Sequence, residues 1–181
     1  MNLLAQNFFA LFHLPERFSI DLAQLDYAYR EIQKQVHPDR HVNAADTHRR
    51  LALQWAALAN EAYRTLRDPI ARARYLCQLR GIDTQDEHNT QMPAEFLIQQ
   101  IEWREALAHA QGEPGALGIL HSEISAAKQF ELNQITSQLD QTNDTPGAYA
   151  SLRKLMFIEK FFADIKSDLS RLAPVENGKQ S

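Results

Sequence analysis

His37, Asp39 and His41 stand close together near the start of the chain, with His48 a little further on. Imidazoles beside a carboxylate could serve as general acid–base groups, or could activate water if they shared a metal. No further carboxylate or cysteine completes a ligand set at metal-binding spacing, so no metal and no cofactor is expected. Cys77 is the single cysteine, which excludes an internal disulfide and any multi-cysteine zinc site within the chain. What His37 and Asp39 can do therefore depends on the elements that carry them.

Leu22, Leu25, Tyr29, Ile32 and Val36 recur at +3, +4, +3, +4, the stripe of one helix seeking a core. Pro38 lacks a backbone N–H and pushes His37 toward an extended conformation, so the helix stops at His37-Pro38-Asp39. Asn43, with Asp46 three residues on, reads as the cap of a second helix bearing Leu51, Trp55, Leu58, Ala59 and Ala62 on one side. The corner is then the exposed tip of a helical hairpin. Arg30 and Lys34 lie i,i+4 on the side of the first helix away from the stripe, and Arg40 follows the corner, forming a short basic strip. Asp21, Asp26 and Glu31 share that helix and thin the strip. An exposed tip offers neither a cavity nor a wall that excludes water, which weighs against an enzyme.

The bulk properties are those of an ordinary globular chain. Its 181 residues, 44% of them hydrophobic, suffice for one domain or two small ones. A net charge of -4, from 19 basic and 23 acidic residues, gives no global attraction to nucleic acid or an anionic membrane. The apolar start from Met1 to Phe12 lacks a basic leader and a small-residue cleavage site, so Phe8, Phe9, Leu11 and Phe12 are expected in a short core helix rather than a secretory signal. No apolar run is long enough to span a bilayer. The lone cysteine fits a reducing, cytoplasmic setting.

Asp68-Pro69 restarts the chain as a fourth helix, Ala71 to Arg80, with Tyr75, Leu76 and Leu79 as its apolar members and Gly81 closing it. Residues 81–92 are polar and read as a linker between an N-terminal domain, 1–80, and a C-terminal three-helix bundle, 93–173; residues 174–181 form a polar tail expected to be disordered. Gly112, Pro114, Gly115 and Gly118 are expected to break the first bundle helix from the second, and residues 142–147 the second from the third. In the first of these helices Phe96, Gln100, Trp103 and Leu107 fall within roughly ±40° of one direction and can face a core. Leu97, Ile98, Ile101, Glu102 and Glu105 lie on the far side, which is too apolar for a simply solvated face. In the last helix Leu155, Ile158, Phe162, Ile165, Leu169 and Leu172 form the stripe, and Phe157 points off it. Periodicity alone leaves two readings of these off-stripe residues: packing against the N-terminal domain or one another, or a docking surface.

The run from the first short helix through His37-Pro38-Asp39 to Asn60-Glu61-Ala62-Tyr63-Arg64-Thr65-Leu66-Arg67-Asp68-Pro69 closely resembles the J domain of DnaJ-type co-chaperones. Val36 stands where many J domains have an aromatic residue. The segments Phe96 to Leu107 and Arg153 to Lys160 are similar to the C-terminal domain of the HscB family, co-chaperones of bacterial iron–sulfur cluster biogenesis. Together these similarities cover the chain from about Phe8 to Leu172. The resemblance implies an all-α, L-shaped, two-domain protein that is not an enzyme. It implies that His37, Pro38, Asp39, Arg30, Lys34 and Arg40 contact a specialised Hsp70 of the HscA type and stimulate its ATPase. It further implies that Leu97, Ile98, Ile101, Glu102, Glu105 and Phe157 bind an iron–sulfur scaffold protein of the IscU type, with no nucleic-acid or membrane partner. A J-protein serving another Hsp70 client, or an enzyme built on His37, Asp39 and His41, are the alternatives.

Overall fold

The computed structural model describes residues 7–36, 46–84, 92–110 and 113–172, and among them every regular element is an α-helix. The helices are α1 (Phe8–Leu11), α2 (Leu22–Val36), α3 (Asp46–Arg67), α4 (Pro69–Leu79), α5 (Ala94–His109), α6 (Pro114–Asp140) and α7 (Thr145–Leu172). The His37-Pro38-Asp39-Arg40 corner, His41, the Asn43 cap, most of the expected linker and the tail lie outside the described residues.

Local chemistry sets most helix ends. The Asn7 side chain accepts the Ala10 N–H at 2.9 Å and starts α1. Asp21 accepts the N–H groups of Ala23 and Gln24 at 2.8 and 3.2 Å and starts α2. Asp68 accepts the Ala71 N–H at 2.7 Å, with Pro69 in the first turn of α4. Gly81 ends α4 at φ +86°, and the paired bonds Gly81 N–H to Gln78 O and Ile82 N–H to Cys77 O, both 3.0 Å, make a Schellman closure.

Two expected breakers fall inside helices instead. Pro114 opens α6, so Gly115 and Gly118 belong to its first turns, where the helix tolerates glycine and the real break lies before the proline. Pro146 and Gly147 likewise sit in the first turn of α7, after Asn143 has reversed the chain at φ 54°. The Asp144 carboxylate caps that turn, accepting the Gly147 N–H at 3.0 Å, and folds over the space that any Cβ at 147 would need. The stripes are also narrower than their periodicity suggests: Leu22, Leu51 and Leu79 are exposed, and the buried set is Leu25 on α2, Ala59, Ala62 and Leu66 on α3, and Ala73, Leu76 and Cys77 on α4.

The sequence break at 81–92 does not divide the packing. One apolar cluster joins Phe9, Phe12, Leu14 and Phe18 with Leu66, Leu76 and Cys77, and continues into Ile135, Leu139, Ala148, Leu152 and Leu155 of α6 and α7. Polar bonds fix the same joint. The Asp140 carboxylate accepts the N–H groups of Phe18 and Ser19 at 2.6 and 2.8 Å, and Arg80 donates to Leu139 O at 2.9 Å. Buried Arg72 lies over the Phe18 ring at 5.0 Å, and burial lowers its pKa. A second cluster, with Phe96, Trp103, Leu120, Ile124, Ile158, Phe161 and Ile165, holds α5 against the distal half of the α6–α7 pair. Phe161 takes a core place there, while Phe162 is only partly buried.

Two outcomes are expected from this joint. Asp140→Ala removes both acceptors for the 18–19 turn and should cost about 2 kcal/mol in urea unfolding; stability equal to the parent would show that other contacts hold that turn. The Cys77 thiol is fully buried, and burial pushes its pKa up to about 11, so it stays protonated and shielded near neutral pH. A thiol-alkylating reagent should therefore modify it only at the rate of unfolding, and rapid modification of the folded chain would contradict that burial.

Candidate functional sites

The α2 face owes its position to a bracket between α2 and α3. The Tyr29 and Tyr63 rings stack with centroids 4.1 Å apart, and Asn60 Oδ1 accepts both the Tyr29 hydroxyl at 2.7 Å and Gln33 Nε2 at 2.8 Å. One turn away, Asp26 accepts the Tyr63 hydroxyl at 2.9 Å and Arg67 Nη1 at 3.0 Å. The hydrogen bond with Tyr63, and then the charge of Asp26, raise the Arg67 pKa. Sequence periodicity does not reveal this bracket, because polar residues on two helices carry no mark of being each other's partners.

Those bonds also account for the acids that share α2 with the basic strip. Asp21 is engaged as a helix cap and Asp26 is held by α3. Glu31 alone turns to the strip, pairing with Lys34 Nζ at 2.7 Å. Arg30 and Lys34 are both exposed on the same face, and Arg30 Nε donates to Asp26 O at 3.1 Å. An exposed i,i+3 pair is worth at most about 1 kcal/mol, so Lys34 is available to an incoming carboxylate.

On α5 the two faces separate cleanly. Phe96 and Trp103 are buried, and Trp103 stacks on Phe161 at 6.1 Å and donates its Nε1–H to Glu123 at 2.9 Å. Opposite them Leu97, Ile98 and Ile101 are 46%, 56% and 55% exposed, and Glu102 and Glu105 are exposed beside them. Among the described residues, these three apolar side chains join neither buried cluster, and about half of each is open to solvent.

Phe157 differs from its expected companions. It is half-buried, lies edge-on to Phe96 at 5.9 Å, and carries the Arg104 guanidinium over its ring, also at 5.9 Å. Part of its surface therefore belongs to the core, because an aromatic ring one step off the α7 stripe still reaches the side of α5. His109 is exposed, with Nδ1 2.7 Å from Glu105 O. Among the described residues no group of three or more His, Cys, Asp or Glu side chains could hold a metal ion, and no helix is long and apolar enough to cross a membrane.

Comparison with known proteins points one way. Residues 92–166 match the sequence model of the HSCB C-terminal oligomerisation domain. The chain is 46% identical over 174 residues to a co-chaperone protein HscB homolog of Ralstonia nicotianae, covering 95% of this chain and 99% of that one. It is 47% identical over 171 residues to the corresponding homolog of Burkholderia mallei, covering 93% and 97%. Among solved structures, the chaperone HscB from Vibrio cholerae superposes with a TM-score of 0.80 at 34% identity, covering 92% of this chain and 99% of that one. The human co-chaperone protein HscB also gives 0.80, at 28% identity, covering 92% and 82%.

Substitution separates core from surface on α5 and α7. Leu97→Ala, Ile98→Ala and Ile101→Ala should each change unfolding free energy by no more than about 0.5 kcal/mol, whereas Phe157→Ala should cost roughly 1–3 kcal/mol. Equal losses at all four positions in a denaturant titration would mean that the outer face of α5 is packed rather than exposed.

Proposed function

The chain belongs to the HscB co-chaperone family, and on that premise we propose that it couples an iron–sulfur scaffold protein of the IscU type to a specialised Hsp70 of the HscA type. Its relatives are named co-chaperones, a role that is not enzymatic. In this reading residues 1–80 act as the J domain and residues 93–173 as the scaffold-binding bundle, in the cytoplasm. Arg30 and Lys34, with His37, Pro38, Asp39 and Arg40 at the corner beyond α2, dock on the Hsp70 and stimulate its ATPase. Leu97, Ile98, Ile101, Glu102 and Glu105 receive the scaffold, with Phe157 contributing its exposed edge.

The observation that carries this reading is the pairing of Leu97, Ile98 and Ile101, exposed and fringed by Glu102 and Glu105, with a buried Phe96 and Trp103 on the same helix. Apolar side chains contiguous on a surface are favourable only when a partner covers them. A scaffold held there and an Hsp70 held at α2 become neighbours at an effective concentration set by the distance between the two surfaces. Leu25 of α2 belongs to one apolar cluster and Phe96 and Trp103 of α5 to the other, and α6 and α7 contribute residues to both. ATP hydrolysis then traps the scaffold on the chaperone and favours cluster transfer.

Single-turnover ATP hydrolysis by the cognate Hsp70 tests the whole reading. The chain and the scaffold added together should stimulate more than the sum of each alone. His37→Gln should abolish stimulation, and Leu97→Ala/Ile98→Ala/Ile101→Ala should remove only the scaffold-dependent increment. Stimulation indifferent to the scaffold would mean a different client, and no stimulation would end the co-chaperone reading.

A further inference from the structure

The outer face of α5 continues past its own edge. Beside Ile98 and Glu102 the helix borders a groove of about 740 Å³ that reaches between α5, α6 and α7. Phe130, on α6, lines the same groove as Ile98 and is 57% exposed, outside both buried clusters. The lining carries four glutamates against a single cation, Lys154. That cation is already shared, lying 3.4 Å from Glu131 Oε1 and 5.9 Å from the Phe96 ring.

Glu131 is the informative member. It is only 5% exposed, and its second oxygen, Oε2, has no hydrogen-bond partner among the described residues. A buried carboxylate left with one weak partner is costly, and the cost is relieved by a second donor. Glu123 stands on the same wall, using one oxygen to accept the Trp103 Nε1–H and leaving the other available. The groove thus combines apolar rails with an acidic wall.

We propose that this groove receives a lysine or arginine side chain from the scaffold protein docked on α5, an inference that rests on the α5 reading above. The methylene stem lies between Ile98 and Phe130, and the cationic head is drawn to the unpartnered oxygen of Glu131, while Glu102 and Glu123, the latter about 12 Å along α6, add negative field along the groove. Only a side chain with a long apolar stem and a positive end satisfies both features. An acidic or purely apolar group would leave the carboxylates uncompensated. Continuity adds to this, since Ile98 and Glu102 belong to the exposed α5 face and to the groove at once.

The test is calorimetric titration of the full chain with its IscU-type scaffold at low and high salt. Phe130→Lys places a competing cation at the mouth and, being on an exposed position, leaves the fold intact; it should weaken binding about tenfold or more. Glu123→Gln keeps an acceptor for Trp103 but removes the charge, and should weaken binding several-fold while flattening its salt dependence. Leu97→Ala/Ile101→Ala serves as the reference for the α5 face. If that reference weakens binding while both groove variants bind like the parent, the groove proposal is overturned and the α5 reading stands. If all three bind like the parent, both are overturned.

Discussion

Burial of the base of the α6–α7 pair against α1 and α4 is the contact that joins the N-terminal helices to the bundle. Leu139, Ala148, Leu152 and Leu155 lose their solvent in the same cluster that covers Phe9, Phe12, Leu76 and Cys77. The N-terminal helices share this cluster with α6 and α7, so the break in composition at 81–92 is not a gap in packing. Asp140 adds direction to this non-directional contact: two backbone N–H groups on one carboxylate set the angle at which the 18–19 turn meets the end of α6. Hydrophobic burial supplies the adhesion, and the charge-assisted bonds supply the geometry.

Acidic side chains are divided between two kinds of work. Asp21, Asp68 and Asp144 cap helices, Asp26 ties α2 to α3, and Asp140 pins the joint. Each sits where backbone or guanidinium donors already surround it, so its charge is spent locally. The glutamates of α5 and the neighbouring groove are different: Glu102 and Glu105 face solvent, and Glu123 and Glu131 line a groove with Lys154 as its one cationic lining residue. A chain with a modest net charge of -4 can therefore present a basic strip at α2 and an acidic surface at α5. Electrostatic complementarity of this local kind governs partner choice and encounter rate more than total affinity.

The α5 helix shows how one short element serves two masters. Phe96 and Trp103 bury large aromatic rings at one side, anchoring a helix that otherwise has little contact with its neighbours. That anchorage leaves the opposite side free to be apolar without endangering the fold. The same economy appears in α2, where Leu25, Tyr29 and Asn60-bonded Gln33 hold the helix and leave Arg30 and Lys34 outward.

Period, capping and breaker chemistry are local, and they determined most of the secondary structure by themselves. The spans of α2 through α5, the cap at Asp68, the closure at Gly81 and the excess of apolar residues on α5 are all readable from spacing and residue type. What the local signals could not carry was decided by tertiary contact. Which members of a stripe are buried depends on the breadth of the facing helix, so Leu25 is covered while Leu22 and Leu51 are not. Phe157 belongs partly to the core because Phe96 lies within reach across the bundle, a proximity invisible along the chain. The Asn60, Tyr63 and Asp26 bracket and the Asp140 joint have the same origin. Each joins residues far apart in sequence, and only folding brings them within range of forces that act over a few ångströms.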